Sequence, residues 1–271
     1  MRSNGIAAAP LSPDDRGLHY GDGLFETLAV RNGQPCLWRY HLERLLLGCR
    51  RLAIPPPAAA WLRREATQEI GDNAVTGVLK ILYTRGPAQR GYAPPANPQP
   101  TSLLRYTPAP PPAEQAIHVR TCRTPIGISP ALAGLKHLNR LEQVLARSEW
   151  SDPNIAEGIM CDPEGQVIEG TASNLLLWHG TTLTTPDLSR SGVAGVVRRL
   201  LLEQAAAEGI EIAICSISRR ALQQADGLLL SNALIGLRQV ASLDGRPLTA
   251  PFPYPELQQR VTARTFTPES A

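Results

Sequence analysis

Lysine is almost missing from this chain: of its 27 basic residues, only Lys80 and Lys136 are lysines and the rest are arginines. An arginine stays protonated and cannot act as an amine nucleophile, whereas a lysine whose pKa is lowered by its surroundings can. Amine chemistry, if the protein performs any, therefore rests on one of two side chains. A genome-wide arginine bias explains the count equally well, with Lys136 as an ordinary surface charge, so the setting of each lysine has to decide.

The five cysteines, Cys36, Cys49, Cys122, Cys161 and Cys215, are odd in number, scattered and without a C-x-x-C pair. That argues against a disulfide framework or a zinc site, and the cysteines read as reduced, mostly buried thiols. An excess of charge of either sign is also lacking. A net +3 over 271 residues, with the arginines spread out, carries no nucleic-acid or membrane-surface footprint, and the expected partner is a small molecule. No apolar run has transmembrane length, and Met1 to Gly5 lacks the apolar core of a signal peptide, so a cytoplasmic location is expected.

What remains is a mixed α/β pattern over a length that allows one large domain or two medium ones. A glycine-punctuated turn, Tyr20-Gly21-Asp22-Gly23, leads into a short strand that ends at the hairpin signal Asn32-Gly33. Leu42, Leu45, Leu46, Cys49 and Leu52 predict a helix from Trp38 to the prolines at 55–57, and Trp61, Leu62, Ala66 and Ile70 a second one. A β-like run from Gly77 to Tyr83 carries Lys80, read as a solvated strand lysine. Arg85 and Arg90 then flank a glycine-rich turn suited to bidentate pairing with carboxylates, or are simply surface turn residues. Strand Thr101 to Tyr106 precedes a stiff linker at 107–115. The boundaries that follow are a smaller N-terminal α/β domain, 1–110, and a larger C-terminal domain, 116–271, carrying Lys136.

In the second half, Asn139 with Glu142 three residues on reads as a helix cap. Leu138, Leu141, Leu145 and Ser148 fall on one helical face, so Lys136 sits just before a helix start. Strands Ile155 to Cys161 and Val167 to Ile168 pair across the turn 162–165. Glu169 stands between apolar strand residues and a small-residue turn. It is either a buried carboxylate needing a partner or an exposed strand end. Ser191 to Val197 opens a long helix through a glycine-rich start, a good phosphate seat. Strands from Ile210 and Gly227, a short helix from Arg219 and the turn Ser231-Asn232-Ala233 complete the pattern.

A lysine before a helix, a carboxylate, a glycine-rich helix start and a helical arginine are what pyridoxal 5'-phosphate needs: an amine, an acidic partner for the pyridine nitrogen and a cationic phosphate cup. The order of motifs over nearly the whole chain resembles the fold type IV pyridoxal phosphate enzymes, the branched-chain and D-amino acid aminotransferase-like family. The run from Gly134 to Val144, the turn from Arg85 to Tyr92, and Thr27 are similar to its 4-amino-4-deoxychorismate lyase branch. This resemblance implies a two-domain α/β (α+β) fold with the cofactor at the domain interface, and a homodimer. It further implies conversion of 4-amino-4-deoxychorismate to 4-aminobenzoate and pyruvate in folate biosynthesis.

Residue by residue, the resemblance makes Lys136 the Schiff-base lysine and Thr27 a second proton carrier. Glu169 becomes the pyridine-nitrogen carboxylate, and Arg44, Val196, Val197, Asn232 and Ala233 become phosphate contacts. Arg85, Arg90, Tyr20 and Tyr83 are the implied substrate contacts, and no metal is implied. A branched-chain or D-amino acid aminotransferase of the same fold, and a non-catalytic cofactor- or metabolite-binding protein, are the alternative readings.

Overall fold

The computed structural model describes residues 1–7, 10–72, 76–109 and 116–269, and these divide into two compact units. The first holds the described residues before the 110–115 stretch, together with Leu135–Asn139 and the last residues from Phe266. The second holds the rest. Most of the expected linker lies outside the described residues. Lys136, expected with the second half, groups with the first unit. No helix among the described residues is long and apolar enough to cross a membrane.

The first unit runs β1 (Arg2–Ser3), β2 (Ile6–Ala7), α1 (Arg16–Tyr20), β3 (Gly23–Arg31), β4 (Gln34–Pro35), α2 (Trp38–Arg51), α3 (Ala59–Ile70), β5 (Thr76–Thr84) and β6 (Thr101–Pro108). Its described strands form one antiparallel sheet in the order β2-β1-β6-β5-β3-β4. The hairpin from β3 to β4 turns where the sequence places it. Asn32 and Gly33 both take positive φ, 49° and 71°, as the twist-matching two-residue turn requires. Alternation then sorts β3 into two faces. Leu24, Leu28 and Val30 are buried with Leu45, Cys49, Leu62, Ala66, Leu79, Ile81 and Leu104, while Phe25 and Thr27 on the other face are half-buried. A side chain at Gly48 would start 2.7 Å from Leu24, so helix α2 lies close on β3. The helix α1 was not expected. It is five residues long, capped by the Asp15 side chain on Gly17 N and closed by Gly21 at φ 64°.

The second unit runs β7 (Ile117–Thr121), α4 (Leu141–Arg147), β8 (Ile155–Cys161), β9 (Val167–Gly170), β10 (Asn174–His179), β11 (Thr182–Pro186), α5 (Val196–Ala207), β12 (Ile212–Cys215), α6 (Arg219–Gln224), β13 (Gly227–Asn232), β14 (Gly236–Leu243), β15 (Arg246–Pro247) and α7 (Pro255–Thr265). The described strands form one mixed sheet in the order β12-β11-β10-β13-β14-β7-β8-β9, with β15 on β14. The unbroken apolar runs of β10 and β13 follow from burial on both faces. Leu175, Leu177, Leu228 and Leu230 join a core with Leu222 and Ala225, whereas Trp178 packs edge-on against Phe252 at 5.4 Å.

The start of α4 corrects the expected cap. The helix begins at Leu141 behind Arg140, which makes no side-chain cap bond, and Asn139 lies one position too early. Its Nδ2 instead donates to Gly21 O at 3.3 Å, and the Glu142 carboxylate accepts from Gly127 N at 3.0 Å. The apolar face of α4 also points outward. Leu141, Val144 and Leu145 are 71%, 57% and 54% exposed, whereas Gln143 and Ala146 are buried.

Candidate active site

Lys136 lies in a segment without helical structure that is laid along β3 by backbone hydrogen bonds. Phe25 N donates to Lys136 O at 2.9 Å and Leu138 N to Gly23 O at 3.0 Å, with Leu24 bridged to His137. Leu135 anchors the segment in the core of the first unit. The Lys136 Nζ consequently stands 4.2 Å from the centre of the Phe25 ring, within cation–π range. Two residues along the strand, on the same face as Phe25, is Thr27. Its cross-strand partner is Lys80, whose Nζ approaches the same ring at 5.6 Å. Both lysines of the chain therefore meet one aromatic side chain beside one threonine. Sequence reading set Lys80 aside as a solvated residue; it is exposed, but the register brings it to the face that carries Thr27.

On the opposite face of β3 the one charged residue is Glu26, which is 2% exposed. Arg44 donates to it from Nε at 2.8 Å and from Nη2 at 2.5 Å, and His41 Nδ1 lies 2.6 Å from Oε2. Burial pushes the Glu26 carboxyl up, but the Arg44 charge and the bonds from Arg44 and His41 more than offset it, holding its pKa at about 2. Burial pushes His41 down, against the pull of Glu26 and with help from the charges of Arg44 and Lys136. A neutral His41 bonded to a carboxylate keeps its proton on Nδ1. Its Nε2 is buried without a hydrogen-bond partner among the described residues. Arg44, expected at a phosphate, is thus oriented by a bidentate buried ion pair that sequence spacing gave no sign of.

The expected substrate arginine Arg85 needs correction. It is 8% exposed and bonded to Asp22 through Nε (2.7 Å) and Nη2 (3.0 Å), and to the carbonyls of Ala53 and Leu52 at 2.8 and 2.7 Å. Arg16 shares Asp22 at 2.8 Å and reaches the carbonyls of Gly91, Tyr92 and Ala93. Burial raises the Asp22 pKa, and the bonds and charges of Arg85 and Arg16 bring it below the ordinary value. These two arginines clamp the 85–93 segment to β3 and α2, and their donors are engaged on protein. Arg90 and Tyr92 on that segment are exposed. Tyr20 accepts from Gly91 N at 3.2 Å and its ring lies 5.3 Å from that of Tyr92. Tyr83 is buried, with its hydroxyl donating to Pro55 O at 2.8 Å, and is therefore a packing residue and not a substrate contact.

In the second unit Glu169 is buried near the end of β9 and accepts from Val193 N at 2.7 Å. The exposed strand-end reading is thereby set aside. Gly192 adopts φ 82°, and a side chain there would meet Glu169 Oε2 at 3.2 Å, so glycine is required for this approach. The chain continues to Gly195, the N-cap of α5, which supplies no side-chain cap. The first N–H groups of an α-helix have no intrahelical acceptor, so those of Val196 and Val197 fit a phosphate. Asn174 Oδ1 fills the space a Cβ at Gly195 would take, and Asn174 Nδ2 donates to Val193 O at 2.8 Å. At the end of β13, Asn232 accepts from Leu234 N and Ile235 N at 2.8 and 3.0 Å, turning the chain at Ala233. No cluster of metal-ligating side chains occurs among the described residues.

Residues 23–243 match the family model described as Amino-transferase class IV. A crystal structure of 4-amino-4-deoxychorismate lyase from Pseudomonas aeruginosa is similar at 48% identity and a TM-score of 0.90, over 97% of this chain and 98% of that one. Aminodeoxychorismate lyase of Vibrio harveyi is 32% identical over 268 residues, 97% of this chain and 98% of its own. D-alanine aminotransferase of Listeria monocytogenes is 24% identical over 88% of this chain and 83% of its own.

The buried ion pair predicts two measurable effects. Arg44→Ala strands the Glu26 carboxylate, and should lower the free energy of urea unfolding by about 3–5 kcal/mol. The Glu26 contribution is present in full above its ordinary value of 4.5 and is lost as the pH falls toward about 2. Glu26→Gln should accordingly flatten the acid limb of stability against pH between those values. Unchanged unfolding of Arg44→Ala, or an unchanged acid limb in Glu26→Gln, would contradict the buried pair.

Proposed function

Since the chain belongs to the class IV amino-transferase family, we propose that it is a pyridoxal 5'-phosphate-dependent lyase that converts 4-amino-4-deoxychorismate to 4-aminobenzoate and pyruvate. The observation that carries the reading is the placement of Lys136 against Phe25 on the strand face that bears Thr27. The extent of similarity to the two lyases favours elimination over transamination.

When bound, pyridoxal phosphate supplies a carbonyl that captures the substrate amine and a ring that accepts the electron pair left by a departing proton. Lys136 would hold the cofactor, and its amine would take the proton from the amine-bearing carbon of the substrate. Glu169, which accepts from Val193 N, would keep the pyridine nitrogen protonated. The Val196 and Val197 N–H groups, the Asn232-Ala233 turn and Arg44 would hold the phosphate. The Thr27 hydroxyl or the Lys136 amine delivers a proton to the three-carbon unit as its carbon–oxygen bond breaks. One proton is taken and one is returned, so the products account for every substrate atom without water or a keto-acid acceptor.

Substrate carboxylates need cations not already committed to protein. Arg85 does not meet that condition, and we assign the role to Lys80, whose register opposite Thr27 supports it, with Arg90 on the exposed segment as a second contact. We also propose a cytoplasmic homodimer. The exposed apolar face of Leu141, Val144 and Leu145 supports self-association, because a contiguous apolar helix face is the usual mark of an interface.

Two experiments test these assignments. Incubated with 4-amino-4-deoxychorismate and pyridoxal phosphate alone, the protein should release 4-aminobenzoate and pyruvate in equal amounts. Thr27→Val should lower kcat with little change in KM, and Lys80→Ala should raise KM by about tenfold or more, the loss of one charge-assisted bond. No release of 4-aminobenzoate, together with turnover of branched-chain or D-amino acids with 2-oxoglutarate, would replace the lyase by an aminotransferase. For the homodimer, sedimentation should give twice the chain mass, and Leu145→Glu should shift it toward the monomer. A monomeric wild-type protein would refute self-association.

A further inference from the structure

The buried carboxylate of Glu157 on β8 takes no direct part in the proposed chemistry, yet it is 7% exposed and makes no ion pair among the described residues. Five uncharged donors satisfy it. Oε1 accepts from Gly158 N at 2.9 Å, Thr171 N at 3.0 Å and the Thr171 hydroxyl; Oε2 accepts from Ala172 N at 3.1 Å and the Ser173 hydroxyl at 2.9 Å. Three successive residues, 171–173, are thus gathered onto one carboxylate. Gly170 lets them close in, since a side chain there would meet Ser173 Oγ at 2.2 Å and the Glu157 carboxyl carbon at 3.0 Å, and Gly170 N donates to Ser173 O at 2.7 Å.

The gathered turn joins the strand end bearing Glu169 to the strand start bearing Asn174. From it, contacts run to each group placed around the start of α5. The Ala172 carbonyl accepts from Asn232 Nδ2 at 3.2 Å. Asn174 donates to Val193 O, and Val193 N donates to Glu169. Resting on the reading of Glu169 and Asn232 as cofactor contacts, we infer that Glu157 is a positioning residue. Its five-donor carboxylate sets the 171–173 turn, and through it the aim of Glu169 and of the Asn232 turn toward the cofactor. The carboxylate form is essential to this. It accepts on both oxygens, whereas the amide of glutamine turns an N–H₂ group against at least one backbone N–H in whichever orientation it sits.

The test compares wild type, Glu157→Gln and Thr171→Val, which removes one hydroxyl donor at nearly constant volume. In the apoproteins, amide hydrogen exchange should speed up at Thr171, Ala172 and Val193 in Glu157→Gln while β10 and β13 stay protected. Titrated with pyridoxal phosphate, Glu157→Gln should bind about tenfold or more weakly, the scale of a lost bond to a charged group. The pH midpoint of its bound-cofactor absorption should move. Thr171→Val should show a smaller change in the same direction, which keeps the inference open to test if Glu157→Gln does not fold. Unaltered exchange at Val193, or wild-type affinity and pH midpoint in the variants, would overturn the inference. A wild-type protein that takes up no pyridoxal phosphate would instead refute the reading of the site, and with it the positioning role, whatever the exchange shows.

Discussion

The short run of backbone hydrogen bonds that lays Leu135–Asn139 along the first half of β3 is the constraint on which the rest of the site depends. β4 pairs only with the far end of β3, which leaves the edge from Gly23 to Phe25 for this segment. Two main-chain bonds and the buried Leu135 fix the Lys136 backbone more firmly than an exposed helical position would. The side chain is then directed by Phe25. The ring face gives the Lys136 side chain a defined place, with Nζ 4.2 Å from the ring centre.

Within each unit the structure handles its buried carboxylates in different ways, each suited to its position. Glu26, under the sheet, is matched by Arg44 and His41; its low pKa keeps it charged and makes it an orienting group for α2. Asp22 is shared by two arginines and ties the 85–93 segment to the start of β3. Glu157 uses only uncharged donors, and Glu169 accepts a backbone N–H. A carboxylate surrounded by neutral donors can hold a turn without bringing further positive charge to it. Pairing with arginine, in contrast, suits sites where the cation itself must be held in place.

The fold was legible in the sequence wherever local pattern and tertiary demand agree. The Asn32-Gly33 hairpin, the amphipathic runs of α2 and α3, and the apolar strands around Glu169 all appear where expected. The failures share a cause. Arg85 resembles a carboxylate ligand from its neighbours in sequence, but its partners Asp22, Leu52 and Ala53 are up to 63 residues away. Asn139 resembles a cap, and is drawn instead to Gly21. The helical spacing of Leu141 and Leu145 marks an apolar face on α4, but spacing cannot tell a face that is buried within the chain from one that is exposed on it, as this one is. Lys80 was set aside because its relation to Thr27 exists only in the β3–β5 register. Glu157 carried no signal at all, since its donors are main-chain groups and small hydroxyls that any turn contains.

The claim that everything else rests on is that Lys136, and not the other lysine against Phe25, is the amine that engages the cofactor. Reducing the pyridoxal phosphate-loaded protein with borohydride and mapping the peptides measures this directly. The account predicts the label on Lys136 and on no other residue, with Lys136→Ala folded, unlabelled and inactive. Label on Lys80, or full activity in Lys136→Ala, would contradict it.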